Sequence, residues 1–556
     1  MKKRNPISRI ALLLLGLLLI NFLSYQLFER FDLTSDKRYT LSAATEEIIA
    51  AADKPVVIDV FLKGDFPPEF LRLQRETRYL LEEFAAISNN IKFNFVNPLA
   101  DGGDANAIAT DFYEMGMTPA RINVVENGRT TEAIVFPWAI ANYGNQTVKV
   151  RLLENALGAN TEERVESSVQ QLEYAFADAI RKLVLPKEKK IAVMRGNGEL
   201  GDRYIADLLR SLQDYYYIAP FTLDSVAQNP RKTLDQLREY DLIIEAKPTE
   251  AYSEEEKLVL DQYLMSGGKQ LWLLDRIAME NDSLFNAAST AFAIPRELNL
   301  GDYFFKYGIR INPVLVKDLY SAPIVLATGS GNQTQFDPFP WFYLPLAVPS
   351  DEHAIVSNVS PVKFEYSSQI DTLANQVQKT VLLSSSPRTM LEGVPVQISL
   401  DQLSNRPDPE RFTAGPQPLA VLLEGEFTSV YKNRVLPFEP EEFLEESVPT
   451  KMIVISDGDV IRNQVQQGQP LELGFDRYTG TTYGNKEFLL NAVNYLLEDS
   501  GLMEVRSKEV SIAFLDREEV SQSLRFWQGI TIALPLIMLL LFWILYRLYR
   551  RKRYLK

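Results

Sequence analysis

Apolar positions along this chain fall into three regimes. Near the start, residues 10–23 are apolar apart from Gly16 and Asn21, and the stretch runs on through Tyr25, Leu27 and Phe28. That is about the twenty residues a bilayer-spanning helix needs. Near the end, residues 526–546 carry no charged side chain, begin with Phe526-Trp527 and enclose Pro535, which membrane helices tolerate. Between these two stretches, period-two runs alternate with runs of three- and four-residue spacing, the signatures of strands and helices. The pattern predicts strands over 56–62 and 91–96 and helices over 67–88 (Phe70, Leu73, Leu80, Phe84, Ile87) and about 104–115. Strands over 121–126 and 131–136 flank Asn127-Gly128, a hairpin signal. Asn160 caps a long helix with an apolar stripe through Val165, Val169, Leu172, Phe176, Ile180 and Leu183, and Glu163 is placed to complete a capping box. Pro186 and the charged run 187–190 close it.

From residue 191 the pattern starts again. Strands are predicted over 191–194, 217–223, 242–245 and 270–274, with helices over about 202–212 and 253–264. Further strands are predicted over 380–384, 419–423 and 452–455, and a helix over 486–497. Strands alternating with crossover helices argue for a doubly wound α/β sheet with helices on both faces. Residues 300–360 are rich in proline and aromatics, as in Phe336-Asp337-Pro338-Phe339-Pro340-Trp341, and read as an irregular insertion. The layout is therefore a tail (1–9), a spanning helix (10–28), a stalk with a short helix (29–54), an α/β domain (55–160), a linking helix (161–186), a larger α/β domain (187–505), a membrane-proximal segment (506–525), a second spanning helix (526–546) and a tail (547–556). The order of elements in 55–160 resembles the thioredoxin fold, with Pro119 at the place of the cis-proline that precedes its third strand. The Cys-x-x-Cys redox motif is missing, so only the scaffold is implied.

Charge sets the topology. Lys2, Lys3, Arg4 and Arg9 precede the first apolar segment, and Arg547, Arg550, Arg551, Lys552, Arg553 and Lys556 follow the second, with no acid in either set. Basic residues beside a spanning helix stay cytoplasmic, so both termini are expected inside a bacterial inner membrane and the body outside, in the periplasm. The bulky residues 21–28 lack the small-residue pattern of a signal-peptidase site. Removing those ten bases from the 58 leaves 48 against 73 acids, a formal charge of −25 on the rest. Nucleic acid requires a basic footprint and is excluded as a partner.

The catalytic inventory is thin. There is no cysteine and one histidine, which removes thiolate nucleophiles, sulfur-ligated metals and imidazole clusters. His353 lies in a loop, where a lone histidine is usually solvated or locally bonded, and a Ser-His-Asp triad would have to rest on it alone. No serine sits in a Gly-x-Ser-x-Gly elbow and no phosphate loop is present, so catalytic residues, cofactor and metal are each read as none. Gly196, Asn197, Gly198 and Glu199 follow the strand over 191–194, where such sheets place ligands. Their N–H groups offer a cradle for an anion or carbonyl oxygen, or else the glycines serve a tight strand-to-helix turn. Asp275, Asp457 and Asp459 also follow predicted strands and would converge on the same edge. Asp457-Gly458-Asp459 reads as calcium ligands or as an ordinary Asp-Gly turn.

Several motifs occur in order along nearly the whole chain: Phe31-Asp32-Leu33-Thr34, Arg38-Tyr39-Thr40-Leu41-Ser42, Leu422-Leu423-Glu424-Gly425-Glu426-Phe427-Thr428-Ser429, Val454-Ile455-Ser456-Asp457-Gly458-Asp459, Tyr483-Gly484-Asn485-Lys486-Glu487-Phe488 and Arg506-Ser507-Lys508-Glu509-Val510. In these the chain resembles the auxiliary, substrate-binding-like G subunits of gliding-motility-associated ABC transporters, within the wider family of auxiliary domains of uncharacterised ABC-type transport systems. The resemblance implies a permease subunit, a cytoplasmic ATPase, and an exterior body that meets a protein or glycan partner. The larger domain also resembles a class I glutamine amidotransferase sheet. That class needs a nucleophilic Cys after its third strand, and residues 242–248 contain none. The expectation is a non-enzymatic auxiliary subunit; the alternative is a tethered periplasmic ligand-binding receptor.

Overall fold

The structure, a computed structural model, describes residues 40–554 except 65, 101, 103, 127–128, 155–156, 329–334, 350–352, 405–407, 498–500 and 507–516, together with Gly16 and Leu17. The expected first spanning helix and the motifs over 31–39 and 507–510 thus lie outside the described residues. The chain divides into two units, one comprising residues 1–38 and 509–556, the other residues 39–508. In the first unit the helix Arg517–Tyr554 encloses Pro535, and its stretch Phe526–Arg553 is long and apolar enough to cross a membrane. It is the one such helix among the described residues.

The second unit is mixed α/β, with several sheets. Its first sheet has the order Ile91–Phe95, Val56–Val60, Trp138–Tyr143, Gln146–Arg151. The first two strands run parallel and the third antiparallel to Val56–Val60. Helices Ala43–Ala50, Pro68–Ile87 and Thr161–Val184 contribute Ile49, Phe70, Phe84, Leu172 and Phe176 to its core. Asn160 and Glu163 form the capping box at the start of the last of these. The expected hairpin is present as Ala120–Glu126 and Arg129–Val135, but it forms a separate two-stranded sheet. The reading of Pro119 therefore needs correcting: it precedes that hairpin, and the third strand of the sheet, on the side of Val56–Val60 away from Ile91–Phe95, is Trp138–Tyr143, which was not predicted. Its buried positions are the alanines Ala139 and Ala141, too small to stand out as a hydrophobic alternation.

The large sheet has ten strands. Five are parallel, in the order Tyr217–Thr222, Lys190–Arg195, Leu242–Ala246, Lys269–Leu273, Thr450–Ile455. Side-chain period two sorts each strand between two cores. Ile191, Val193, Leu242, Ile244, Leu271 and Leu273 face helices Asp202–Gln213 and Asn485–Leu497, while Ala192, Met194, Ile243 and Trp272 face helices Pro230–Leu237, Glu254–Met265 and Gly301–Tyr307.

The rest of this sheet departs from the parallel expectation. Beyond Thr450–Ile455 come Pro418–Gly425, Gln378–Ser384, Gln335–Pro349 and Ser321–Thr328, each antiparallel to its neighbour. Residues 300–360, expected to be irregular, thus contain a helix and long strands. Their prolines sit where a ladder tolerates them. Pro313 falls in the register shift of Ile309–Asp318 between Ile311 and Leu315, and Pro323, Pro338 and Pro340 lie in the outermost hairpin. A bulge or an edge does not need the missing N–H.

Candidate functional site

Parallel strands deliver their following loops to one edge of the sheet, and the crevice opens where the strand order reverses. Here Lys190–Arg195 lies between Tyr217–Thr222 and Leu242–Ala246, so the loops after Arg195, Ala246, Leu273 and Ile455 share that edge. Three of them hold one charge cluster. Lys247, directly after Leu242–Ala246, is 3% exposed and has a left-handed backbone, φ 58°. Its Nζ lies 2.6 Å from Asp459 Oδ2, 2.7 Å from Glu280 Oε1 and 3.4 Å from Asp275 Oδ2. Arg462 closes the outer side, at 3.3 Å from both Glu280 Oε2 and Asp459 Oδ1. Backbone groups take the remaining oxygens. The Gly458 N–H donates to Asp275 Oδ1 at 2.6 Å, and Asp457 accepts the N–H groups of Asp459 at 2.7 Å and Glu365 at 2.6 Å. Gly458 has to be glycine, since a Cβ there would stand 2.4 Å from Lys247 Cγ.

The electrostatics follow from burial and pairing. Burial pushes the Asp275 carboxyl up to about 6, against the pull of Lys247, and holds Asp457 well above the carboxylate range, with Asp459 adding to it. Burial alone would lower Lys247, but Asp275, Asp459 and Glu280 together raise it well above the ordinary lysine range. Lys247 is therefore a permanent ammonium, without the lone pair that a nucleophile or general base requires. Oxygens of Asp275, Glu280 and Asp459 lie within 4.8 Å of one another, close enough to hold a metal ion. The ammonium already occupies the position such a cation would take.

The predicted residues thus separate. Asp275, Asp457 and Asp459 come together around Lys247 and Gly458. Gly196–Glu199 packs instead against the segment after Lys247: the Asn197 carbonyl accepts N–H groups from Thr249 and Glu250 at 2.9 Å each, and a Cβ on Gly198 would lie 2.1 Å from Thr249 Oγ1. The expected anion cradle is filled from within, because the Asn197 N–H donates to Glu199 Oε2 at 3.0 Å. Burial raises the Glu199 carboxyl and these backbone donors pull it back. His353 is also engaged locally. Its Nδ1 accepts the Ile355 N–H at 3.2 Å, its ring meets Tyr495 edge-on, and burial lowers its pKa.

Sequence reasoning missed Lys247, Glu280 and Arg462. Lys247 carried one signal, a lysine directly between a mostly apolar strand, Leu242–Ala246, and Pro248. Beside the cluster a cleft of about 630 Å³ is lined by Asp459 and Arg462, by Lys363 and Glu365, by Tyr204, Phe285, Phe336 and Tyr478, and by part of Ser321–Thr328. The proline- and aromatic-rich segment therefore meets Asp459 there, whereas Gly196–Glu199 does not line it.

Residues 188–492 match the model of a family described as ABC-type uncharacterized transport system, and residues 35–142 match a domain of unknown function, DUF7088. No curated protein matches the chain. Among solved structures, the chain is similar to the mmIFT52 N-terminal domain at 15% identity and TM-score 0.31, covering 56% of this chain and 98% of that one. It is also similar to the cytoplasmic protein STM3548 from Salmonella typhimurium at 11% identity and TM-score 0.27, covering 56% and 99%. Likeness at that level carries no argument about function.

Proposed function

Because this chain belongs to the ABC-type uncharacterized transport system family, which its residues 188–492 match, we propose that it is a non-enzymatic auxiliary subunit of an ABC transporter, with permease and ATPase supplied by other chains. The observation that carries this reading is the apolar helix Phe526–Arg553, which follows the family-matched body and ends in a basic cluster. A helix of that kind gives the body a membrane contact and a surface for a permease. The absence of enzymatic activity is supported by Lys247, whose ammonium is locked among three carboxylates at the position where a catalytic group would have to be free. In the full proposal residues 10–28 form a second spanning helix, both termini are cytoplasmic, the body is periplasmic at the inner membrane, and the motifs shared with G subunits link the system to gliding motility. For the folds we propose a thioredoxin-like scaffold over 55–160, supported by the order of its four-stranded sheet, and an amidotransferase-like scaffold over 187–505, supported by its parallel strands. Affinity purification of the chain from membranes in mild detergent tests the proposal. A permease and an ATPase are expected to co-purify in fixed proportion, and a solitary chain would overturn it.

A second reading, a tethered ligand-binding receptor, is favoured by the cleft of about 630 Å³, a size within the usual range for ligand sites. A thermal-shift screen of sugars, peptides and cations tests it, and a flat response across the panel removes it.

A further inference from the structure

The ten-stranded sheet ends on Ser321–Thr328, whose single neighbour among the described residues is Gln335–Pro349. An edge strand carries a row of unpaired N–H and C=O groups, and proteins blunt such edges with charge, proline, bulges or cover. Ser321–Thr328 contains no charged residue, and Pro323 is its one missing donor.

The register decides which groups point outward. Pro323 stands opposite Pro340 and Val325 opposite Pro338. Proline has no N–H, so neither pair is one that exchanges two hydrogen bonds. The two kinds of pair alternate in an antiparallel ladder, so the bonded pairs are Ile324 with Phe339 and Leu326 with Asp337. The N–H and C=O groups of Val325 and Ala327, and the C=O of Pro323, therefore face away from the hairpin partner. Pro323, Val325 and Ala327, with Ile324, are the strand's lining residues in the cleft. The unpaired edge thus opens into the cleft. The opposite edge of the hairpin is guarded, because Pro338 and Pro340 remove two outward donors there.

Charge and shape select the occupant. Lys363 is paired with Glu365 at 2.8 Å, and Arg462 with Glu280 and Asp459 at 3.3 Å. These cations and carboxylates neutralise one another, and the remaining charged lining residues are of mixed sign, Asp282 and Asp476 beside an Arg477 that donates to the Val465 carbonyl and to Tyr478, so no concentration of one charge is left to attract an ion. Phe285 and Phe336 are more than half exposed, and Tyr204 and Tyr478 are also exposed, so the border of the cleft offers aromatic faces. A backbone-reading edge beside aromatic surface is the arrangement that recognises an extended peptide by strand addition. We infer that the cleft binds an extended, uncharged peptide segment of a partner protein, added as a further strand along Ser321–Thr328. This goes beyond the auxiliary-subunit reading, and its failure leaves that reading standing, because the peptide is measured on the purified chain and the subunit by co-purification.

The test uses the purified full chain in detergent and fluorescein-labelled octapeptides alternating Thr with Val, Tyr or Phe, read by fluorescence polarisation. Saturable binding is expected. It should weaken roughly tenfold or more in Val325→Pro, which deletes an outward N–H and no hairpin bond, and in Val325→Lys, which charges the edge. On the unaltered chain, a peptide N-methylated at one alternate set of residues should lose binding while the other set keeps it, a contrast that needs no folded variant. Peptide binding unchanged in both variants, or equally sensitive to both methylation sets, overturns the inference. So does a panel that never binds while a neutral oligosaccharide such as cellohexaose saturates the chain, or self-association that Val325→Pro abolishes.

Discussion

Lys247 decides more of the site than any residue that resembles a catalytic group. A buried ammonium is stable only where carboxylates replace its water, and Asp275 and Glu280, from the segment after Lys269–Leu273, and Asp459, after Thr450–Ile455, do so. Removing one partner from such a set leaves the others charged and dry, which costs more than the pair contributes. Lys247→Ala is therefore expected to destabilise the body by about 3–5 kcal/mol, seen as a lower denaturant midpoint of the purified chain. An unchanged midpoint would show that solvent already reaches the cluster. The three aspartates were legible in the sequence as acids following strands. Their shared counter-ion was not, because Lys247 and Asp459 are 212 residues apart and only strand order brings them together.

At the scale of elements, local patterns carried well wherever one face of a helix is buried. In Thr161–Val184, Val165, Leu172, Phe176, Ile180 and Leu183 are buried as the stripe predicts, and the cap is reciprocal: Asn160 Oδ1 accepts the Glu163 N–H at 3.0 Å and Glu163 Oε2 accepts the Asn160 N–H at 2.9 Å. Asn160→Ala is expected to cost about 1 kcal/mol, measurable as a small drop in thermal midpoint that Asn160→Asp largely restores. Strands were legible where both faces are apolar, as in Thr450–Ile455, whose Met452, Ile453, Val454 and Ile455 are all buried. They were hidden where alanine fills the core face, as in Trp138–Tyr143, or where proline interrupts, as in Gln335–Pro349. Proline excludes a residue only from donating in a ladder, and the parity that makes it harmless at an edge depends on the partner strand.

Across the whole body, the end of the larger α/β region returns to the first sheet. Leu502 and Val505 sit in the same core as Val56 and Phe176, the Arg506 carbonyl accepts from Gln171 and Ser357, and Arg506 itself donates to Asn491 Oδ1 at 3.0 Å. At this junction, burial pushes the Glu487 carboxyl up to about 8, with Glu154 hydrogen-bonded to it raising it further while Arg506 and Arg151 oppose. A carboxyl whose pKa is higher folded than unfolded holds its proton better in the folded state, so stability is greatest at low pH and is lost as the pH rises through about 8. Thermal midpoints are expected to fall from about pH 5 to about pH 8 and to level off above that, and Glu487→Gln should flatten that slope. A slope unchanged by the substitution would assign the titration elsewhere.

Read alone, the sequence determined what neighbours along the chain decide: apolar length for the helix Phe526–Arg553, hydrophobic period for most strands and helices, the side chain and spacing for the cap at Asn160. The tertiary structure decided what distance along the chain conceals. It brought Lys247 among carboxylates from other loops, turned Glu199 onto the backbone donors expected to bind a ligand, and set the hairpin register that leaves Val325 and Ala327 facing a cleft. Each of these depends on which strand lies beside which, and strand order is a property of the whole fold that no local pattern encodes.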